Sequence, residues 1–262
     1  ASARPRRPGC AMHYVVTAGG EKGGDRGATL AKRAAAREAL RRWAGFPARA
    51  QPRPIVLVGP MAIPGGGFLD GDAKLAFEFG RVRTAEAVPE EVVALLRRPR
   101  VEGEPPHATR PLLLRSASLG EGEFETDRGM RRLPAWIVDA DGVRGDLVVL
   151  SRAGRDLCWW PPDASSSESA PGRFAHPSSV SADGMTLAYR FSGWPRNMAE
   201  YPDAEVMETP SAVAVIPTEQ WIGPTTGWVT LAGAVREVEV HLTEALGGRV
   251  LVGADGGAVP VY

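Results

Sequence analysis

Lysine is almost missing from this 262-residue chain: of 31 basic residues only Lys22, Lys32 and Lys74 are lysines, and the rest are arginines. Acidic residues also number 31, so the formal net charge is zero and no global field draws the chain to nucleic acid or an acidic membrane. Cysteine is scarcer still. Cys10 and Cys158 cannot build a disulfide framework. With His13, His107, His176 and His241 scattered, they offer no four-ligand zinc cage and no histidine pair at i, i+4 helical spacing. No run approaches the roughly 20 consecutive apolar residues of a membrane-spanning helix. A Gly-x-Ser-x-Gly nucleophile elbow, a Gly-Lys-Ser/Thr phosphate loop and a Gly-x-Gly-x-x-Gly dinucleotide fingerprint are also missing. Neither a cofactor nor a metal is expected.

What is present is the composition of a folding chain, 44% hydrophobic and 24% charged, which places it outside the disordered and collagenous classes. Charge is uneven along it. Up to Arg53 there are twelve basic and three acidic residues, so the first fifth is basic and the remainder acidic. The arginine, alanine, glycine and proline richness also fits the coding bias of a GC-rich genome, which weakens a functional reading of the arginines. Ala1 to Cys10 holds arginines but no apolar stretch, unlike a signal peptide, and residues before Met12 read as a mis-assigned start or a processed remnant. The expected location is therefore cytoplasmic by default, or the envelope if sequence precedes Ala1.

Residues 1–27 read as a poorly ordered basic lead. From Ala28 to Trp43 the chain turns helical, with Leu30, Ala36, Leu40 and Trp43 on one face and Lys32, Arg33, Arg37, Arg41 and Arg42 on the other. Ile55 to Val58 reads as a buried strand. Gly65 to Gly67 read as a permissive turn, and Leu75, Phe77 and Phe79 alternate like a half-buried strand. Pro89, Glu90 and Glu91 open a second helix through Leu96, and residues 100–110 resemble a linker. Thereafter short alternating runs dominate. Leu133 to Val138 and Leu147 to Leu150 flank an Asp141-Gly142 turn, a serine-rich exposed loop spans Asp163 to Gly172, and Leu187, Tyr189 and Phe191 face inward from one strand. Further strands are read at Ala212 to Ile216, Val229 to Leu231 and Val235 to His241, with a terminal hairpin from Arg249 to Val261. The expected fold is α+β: a mostly antiparallel, sandwich-like β domain over 110–262, preceded by a smaller helix-containing region over 28–104.

Several groupings could carry chemistry. Asp127, Arg128, Arg131 and Arg132 lie just before Leu133-Pro134-Ala135-Trp136, and guanidiniums beside a carboxylate could bind an anion or ligand, with Trp136 next to them. The same residues serve equally as an internal ion pair, Asp127 with Arg128 or Arg131, fixing the corner before the strand. Asp70-Gly71-Asp72 and Asp139-Ala140-Asp141-Gly142 with Asp146 suggest turns more than cation loops, since the latter lacks a closing glutamate. His176, Ser178, Ser179 and Asp183 form the one local Ser/His/Asp grouping. Trp159, Trp160, Trp194, Trp221 and Trp228 are expected in the core, and stacking on sugars or bases would require them exposed along one groove.

The stretch Phe124-Glu125-Thr126-Asp127-Arg128-Gly129-Met130-Arg131-Arg132-Leu133-Pro134-Ala135-Trp136 is similar to one in a group of uncharacterised actinobacterial proteins, many labelled secreted proteins or lipoproteins. The similarity continues through Pro52 to Leu57, Asp183 to Leu187 and Ala245 to Val252. It implies a lineage, and the group has no established activity. The leading expectation is a non-enzymatic binding or structural module for a protein or small-molecule ligand. The alternatives are a hydrolase-like enzyme whose carboxylates and histidines meet only in space, and weak nucleic-acid contact through the basic helix 28–43.

Overall fold

The computed structural model describes residues 13–17, 24–85, 87–101, 103–105, 109–162, 176–224, 226–230, 233–253 and 256–262. The expected serine loop and most of the basic lead lie outside these, as do Leu231 and parts of the 100–110 linker. In chain order the N-terminal elements are β1 (His13–Thr17), α1 (Gly24–Arg42), β2 (Ala62–Pro64), α2 (Gly71–Glu78), β3 (Val82–Thr84) and α3 (Glu90–Leu96). The middle carries β4 (Leu112–Thr126), β5 (Gly129–Ala140), β6 (Leu147–Leu150), α4 (Arg152–Asp156), β7 (Ser179–Val180) and β8 (Thr186–Gly193). The chain continues through β9 (Ala199–Glu208), β10 (Ala212–Trp221), β11 (Thr226–Thr230), β12 (Ala234–His241) and β13 (Val250–Val252).

These elements make the expected α+β fold, with mostly antiparallel sheets. A five-stranded sheet in the order β2-β6-β5-β4-β3 is built on the long β4–β5 hairpin, and α2 and α3 cover it through Ala76, Phe77, Val92 and Leu96 against Leu114, Val138 and Leu147. Two three-stranded sheets, β13-β10-β9 and β12-β8-β7, face each other across Leu187, Tyr189, Val213, Val215, Val240 and Leu251. This is the sandwich. On the far face of β10 and β13 lies α1, whose Ala36, Ala39, Leu40 and Trp43 pack on Ala212, Ala214, Val250 and Val252. The first half of β10, Ala212 to Ile216, is buried on both faces, so it reads as a continuous apolar run and not as an alternation. Separately, β1 pairs antiparallel with β11.

Three local readings needed correction. Gly71 to Glu78 is helix α2, where the alternation of Leu75, Phe77 and Phe79 predicted a strand. Ala73, Ala76 and Phe77 fall at the i, i+3, i+4 spacing of a buried helix face, and the Asp70 carboxylate accepts the Ala73 N–H at 2.7 Å as N-cap. Such a cap contributes roughly 0.5–2 kcal/mol and outweighs a three-residue alternation. In α1 the inward face is Ala36, Ala39, Leu40 and Trp43, whereas Leu30 is 62% exposed: six residues before Ala36 is about a third of a turn off that face. Val56 to Val58 are buried and Ile55 partly so, but the segment is held by isolated bridges, Ile55 to Cys158 and Leu57 to Thr126, without becoming a continuous strand.

Candidate functional site

The turn from β4 to β5 carries the Asp127 to Arg132 corner, and the structure draws Asp127 inward. Its side chain is almost fully buried, and its partner is Arg53, 74 residues earlier, at Nη1–Oδ1 3.1 Å and Nη2–Oδ2 2.5 Å. Arg53 also donates from Nε to the Gly248 carbonyl at 2.7 Å and lies 4.8 Å from the Phe46 ring centre. The Asp127 backbone donates to Val56 O and accepts from Val261 N at 3.0 Å. Next to it Arg128 donates to the Gly247 and Arg249 carbonyls, and burial lowers its guanidinium from the ordinary value against the upward pull of Asp127. Gly248 is required here, because a Cβ on it would sit 2.0 Å from the Ala48 carbonyl oxygen. The corner is a clasp joining residues 46–56, the β4–β5 turn and the C-terminal strands.

The other residues of that corner point elsewhere. Arg131 and Arg132 are exposed on β5, with Arg132 bridging to Glu121 across the hairpin at 3.3 Å. Trp136 is half-buried against the α2–α3 core and donates its indole N–H to Glu91 of α3. Asp127 and Arg128 are thus brought together in the clasp, Arg131 and Arg132 are left on the surface, and Trp136 reaches a different region.

The remaining groupings resolve into local roles. Asp141 pairs with Arg115 at 2.5 Å, and Gly67 and Gly142 take positive φ in turns. Among the described residues no group of three or more His, Cys, Asp or Glu side chains could hold a metal ion. His176 meets Ser192 at 3.1 Å, while the Ser178 hydroxyl accepts the Arg190 N–H. Asp183, held below its usual range by the Ser181 hydroxyl and the Met185 N–H, is exposed on the β7–β8 turn. On α1, Lys32 lies 3.6 Å from Glu219 and Arg33 2.6 Å from Glu205, so acids of β9 and β10 offset part of its basic face. Trp159 packs between Trp43 and Phe46 at 5.0 and 5.2 Å. Trp194 and Trp221 meet edge to face at 5.4 Å, half-buried; the Trp228 side chain is outside the described set.

Trp136 leads to a cleft. Between α3 and α4, beside β5, lies an open cavity of about 830 Å3 lined by Glu91, Arg152, Arg155, Asp156, Cys158 and Trp160. Its wall is fixed by α4, which starts where the Ser151 hydroxyl accepts the Gly154 N–H at 3.2 Å and donates to the Pro134 carbonyl at 2.9 Å. The helix approaches β5 closely because residue 154 is glycine; a Cβ there would lie 2.4 Å from Pro134 O. Glu91 accepts from Trp136 on one oxygen and from Arg155 Nη2 at 3.2 Å on the other. Trp160 donates its indole N–H to Arg155 O at 3.2 Å, which fixes the plane of its ring. The Arg155 Nε is buried with no partner, so this guanidinium is under-satisfied where it stands. Burial pushes the Cys158 thiol up to about 11.

Sequence reading missed this cleft. Glu91 and Arg155 are 64 positions apart, and neither belongs to a recognisable spacing. The one available signal was the density of Arg152, Arg155, Asp156, Trp159 and Trp160 within nine residues after a strand. Compared with protein-family models, with curated proteins and with solved structures, the chain matches none.

Proposed function

We propose that the protein is a binding module whose ligand occupies the cleft between α3 and α4, and that it works without chemical conversion. The observation that carries this reading is the cleft's side-chain set: two guanidiniums and a fixed indole beside a thiol that is disarmed. With its pKa near 11, Cys158 carries on the order of one part in ten thousand thiolate at neutral pH, and the thiolate is the nucleophilic form. The Ser151 hydroxyl at the start of α4 is occupied by the cap. A volume of about 830 Å3 suits a small molecule or a short peptide, and convergent polar groups beside an aromatic wall are the usual furniture of a binding pocket.

The test is a ligand-observed NMR screen of small acids, amines and dipeptides, repeated with Trp160→Ala and Arg152→Ala. Saturable binding that both substitutions weaken supports the cleft. Hits that neither substitution alters, or an absence of saturable hits, would place the function elsewhere.

A further inference from the structure

We infer that the ligand of this cleft is zwitterionic, an amino acid or short peptide whose carboxylate meets Arg152 and whose ammonium meets Asp156. The inference rests on the cleft being the binding site and names what fits it.

The charges of the cleft divide into a spent pair and a free pair. Glu91 is held by the Trp136 indole and by Arg155, so those two opposite charges largely cancel. Arg152 and Asp156 are different. Both are exposed, both line the cleft, and neither side chain has a hydrogen bond or an ion pair among the described residues. They stand at i, i+4 on α4, where side chains project from Cβ atoms about 5–6 Å apart. Arginine before the acid is the weaker orientation for an intrahelical pair, which leaves both ends available to a ligand. A guanidinium and a carboxylate one turn apart on the same wall can meet the carboxylate and the ammonium of one ligand together. A ligand with one charge would satisfy one of the two and desolvate the other without compensation.

The third contact is apolar. Because the Trp160 N–H is already donated to Arg155 O, the ring offers the ligand its face and edge, suited to a hydrophobic side chain.

The experiment is titration calorimetry with the dipeptide Ala-Phe, its N-acetyl form and its C-terminal amide, on the wild type, Arg152→Gln and Asp156→Asn. Both positions are exposed, and unchanged thermal melting confirms that the variants fold. The expected result is binding of Ala-Phe that weakens roughly tenfold on capping either end, as for loss of one charge-assisted hydrogen bond in an open cleft. Arg152→Gln should erase the difference between free and amidated peptide, and Asp156→Asn that between free and acetylated peptide. Equal binding of all three forms overturns the inference. So does binding of benzoate or benzylamine, sensitive to Trp160→Ala, in the absence of Ala-Phe binding, although the cleft itself would then stand. If none of these probes binds, both readings fall.

Discussion

Removing the Asp127 carboxylate should destabilise the protein markedly. In Asp127→Ala, Arg53 loses both contacts to the carboxylate, at 3.1 and 2.5 Å, while its side chain is only 18% exposed. Breaking a buried pair from one side costs about 3–5 kcal/mol, because the other charge is left uncompensated. Here the lower end applies, since Arg53 keeps the Gly248 and Pro54 carbonyls as acceptors. For a chain of this size a melting point falls roughly 2–4 °C per kcal/mol, so a drop of about 6–12 °C is expected. The control is Arg132→Ala. Its bridge to Glu121 joins side chains 71% and 58% exposed, and such a pair contributes about 0–1 kcal/mol. A double change, Arg53→Met with Asp127→Leu, should recover much of the loss, since an apolar replacement of both partners leaves no stranded charge. Scanning calorimetry on the four proteins decides the matter. If Asp127→Ala melts within about 2 °C of the wild type, or no lower than Arg132→Ala, the clasp does not hold the structure together as described.

Glu208 gives a pH signature. Burial raises its pKa, but the Thr243 N–H, Arg249 and the Thr243 hydroxyl outweigh that and set it below the ordinary 4.5. Its contribution to stability is therefore full above the unfolded value and lost as pH falls through the lower folded value. Urea unfolding of wild type and Glu208→Gln should show a gap at pH 7 that narrows as the pH falls below 4.5, and a gap independent of pH would contradict the assignment. Gly154→Ala should push α4 off β5 and cost about 1–3 kcal/mol, because the contact at 2.4 Å is with backbone; a melting point equal to wild type would show that α4 has room to move. Deleting Gly257 to Tyr262 removes Ala258, Val259 and Val261 from two cores together with the Val261–Asp127 and Tyr262–Ser178 backbone bonds. Loss of cooperative unfolding is expected, and a two-state transition with a near-native midpoint would refute it.

How much the sequence discloses depends on how local each cause is. Helix α3 announces itself through Pro89, Glu90 and Glu91 at its first turn, and the β5–β6 pairing through the Asp141-Gly142 turn, because proline, acid and glycine preferences act within a few residues. The inward face of β8 is legible in Leu187 and Tyr189, since period-2 alternation survives wherever one face is wet. Helix α2 was misread because three alternating residues outweighed a cap at Asp70 that is itself local; the information was present and its ranking was wrong. The partner of Asp127 is a different failure. Arg128 and Arg131 are nearer along the chain, but Arg131 lies exposed on β5, and the tight β4–β5 turn aims Asp127 into the interior, where Arg53 arrives from another part of the fold. The cleft is hidden for the same reason, since Glu91, Trp136 and Arg155 are assembled by tertiary packing alone.

Strand β10 shows how a register can be stored without polarity. Over Ala212 to Ile216 both faces are buried, so there no contrast between wet and dry sides distinguishes the correct pairing from one shifted by a residue. The sequence uses girth instead. Ala212 and Ala214 meet the alanines of α1, while Val213 and Val215 fill the gap toward β8 and β12. A slip by one place would drive valines into a helix seated for methyl groups and leave alanines before a space shaped for larger side chains. Overfilling of that kind costs about 1–3 kcal/mol per site and the opposing voids add to it. The small–large rhythm from Ala212 to Val215 therefore works as a key cut by volume, and exchanging Ala214 with Val215 would recut it while leaving composition and hydropathy unchanged.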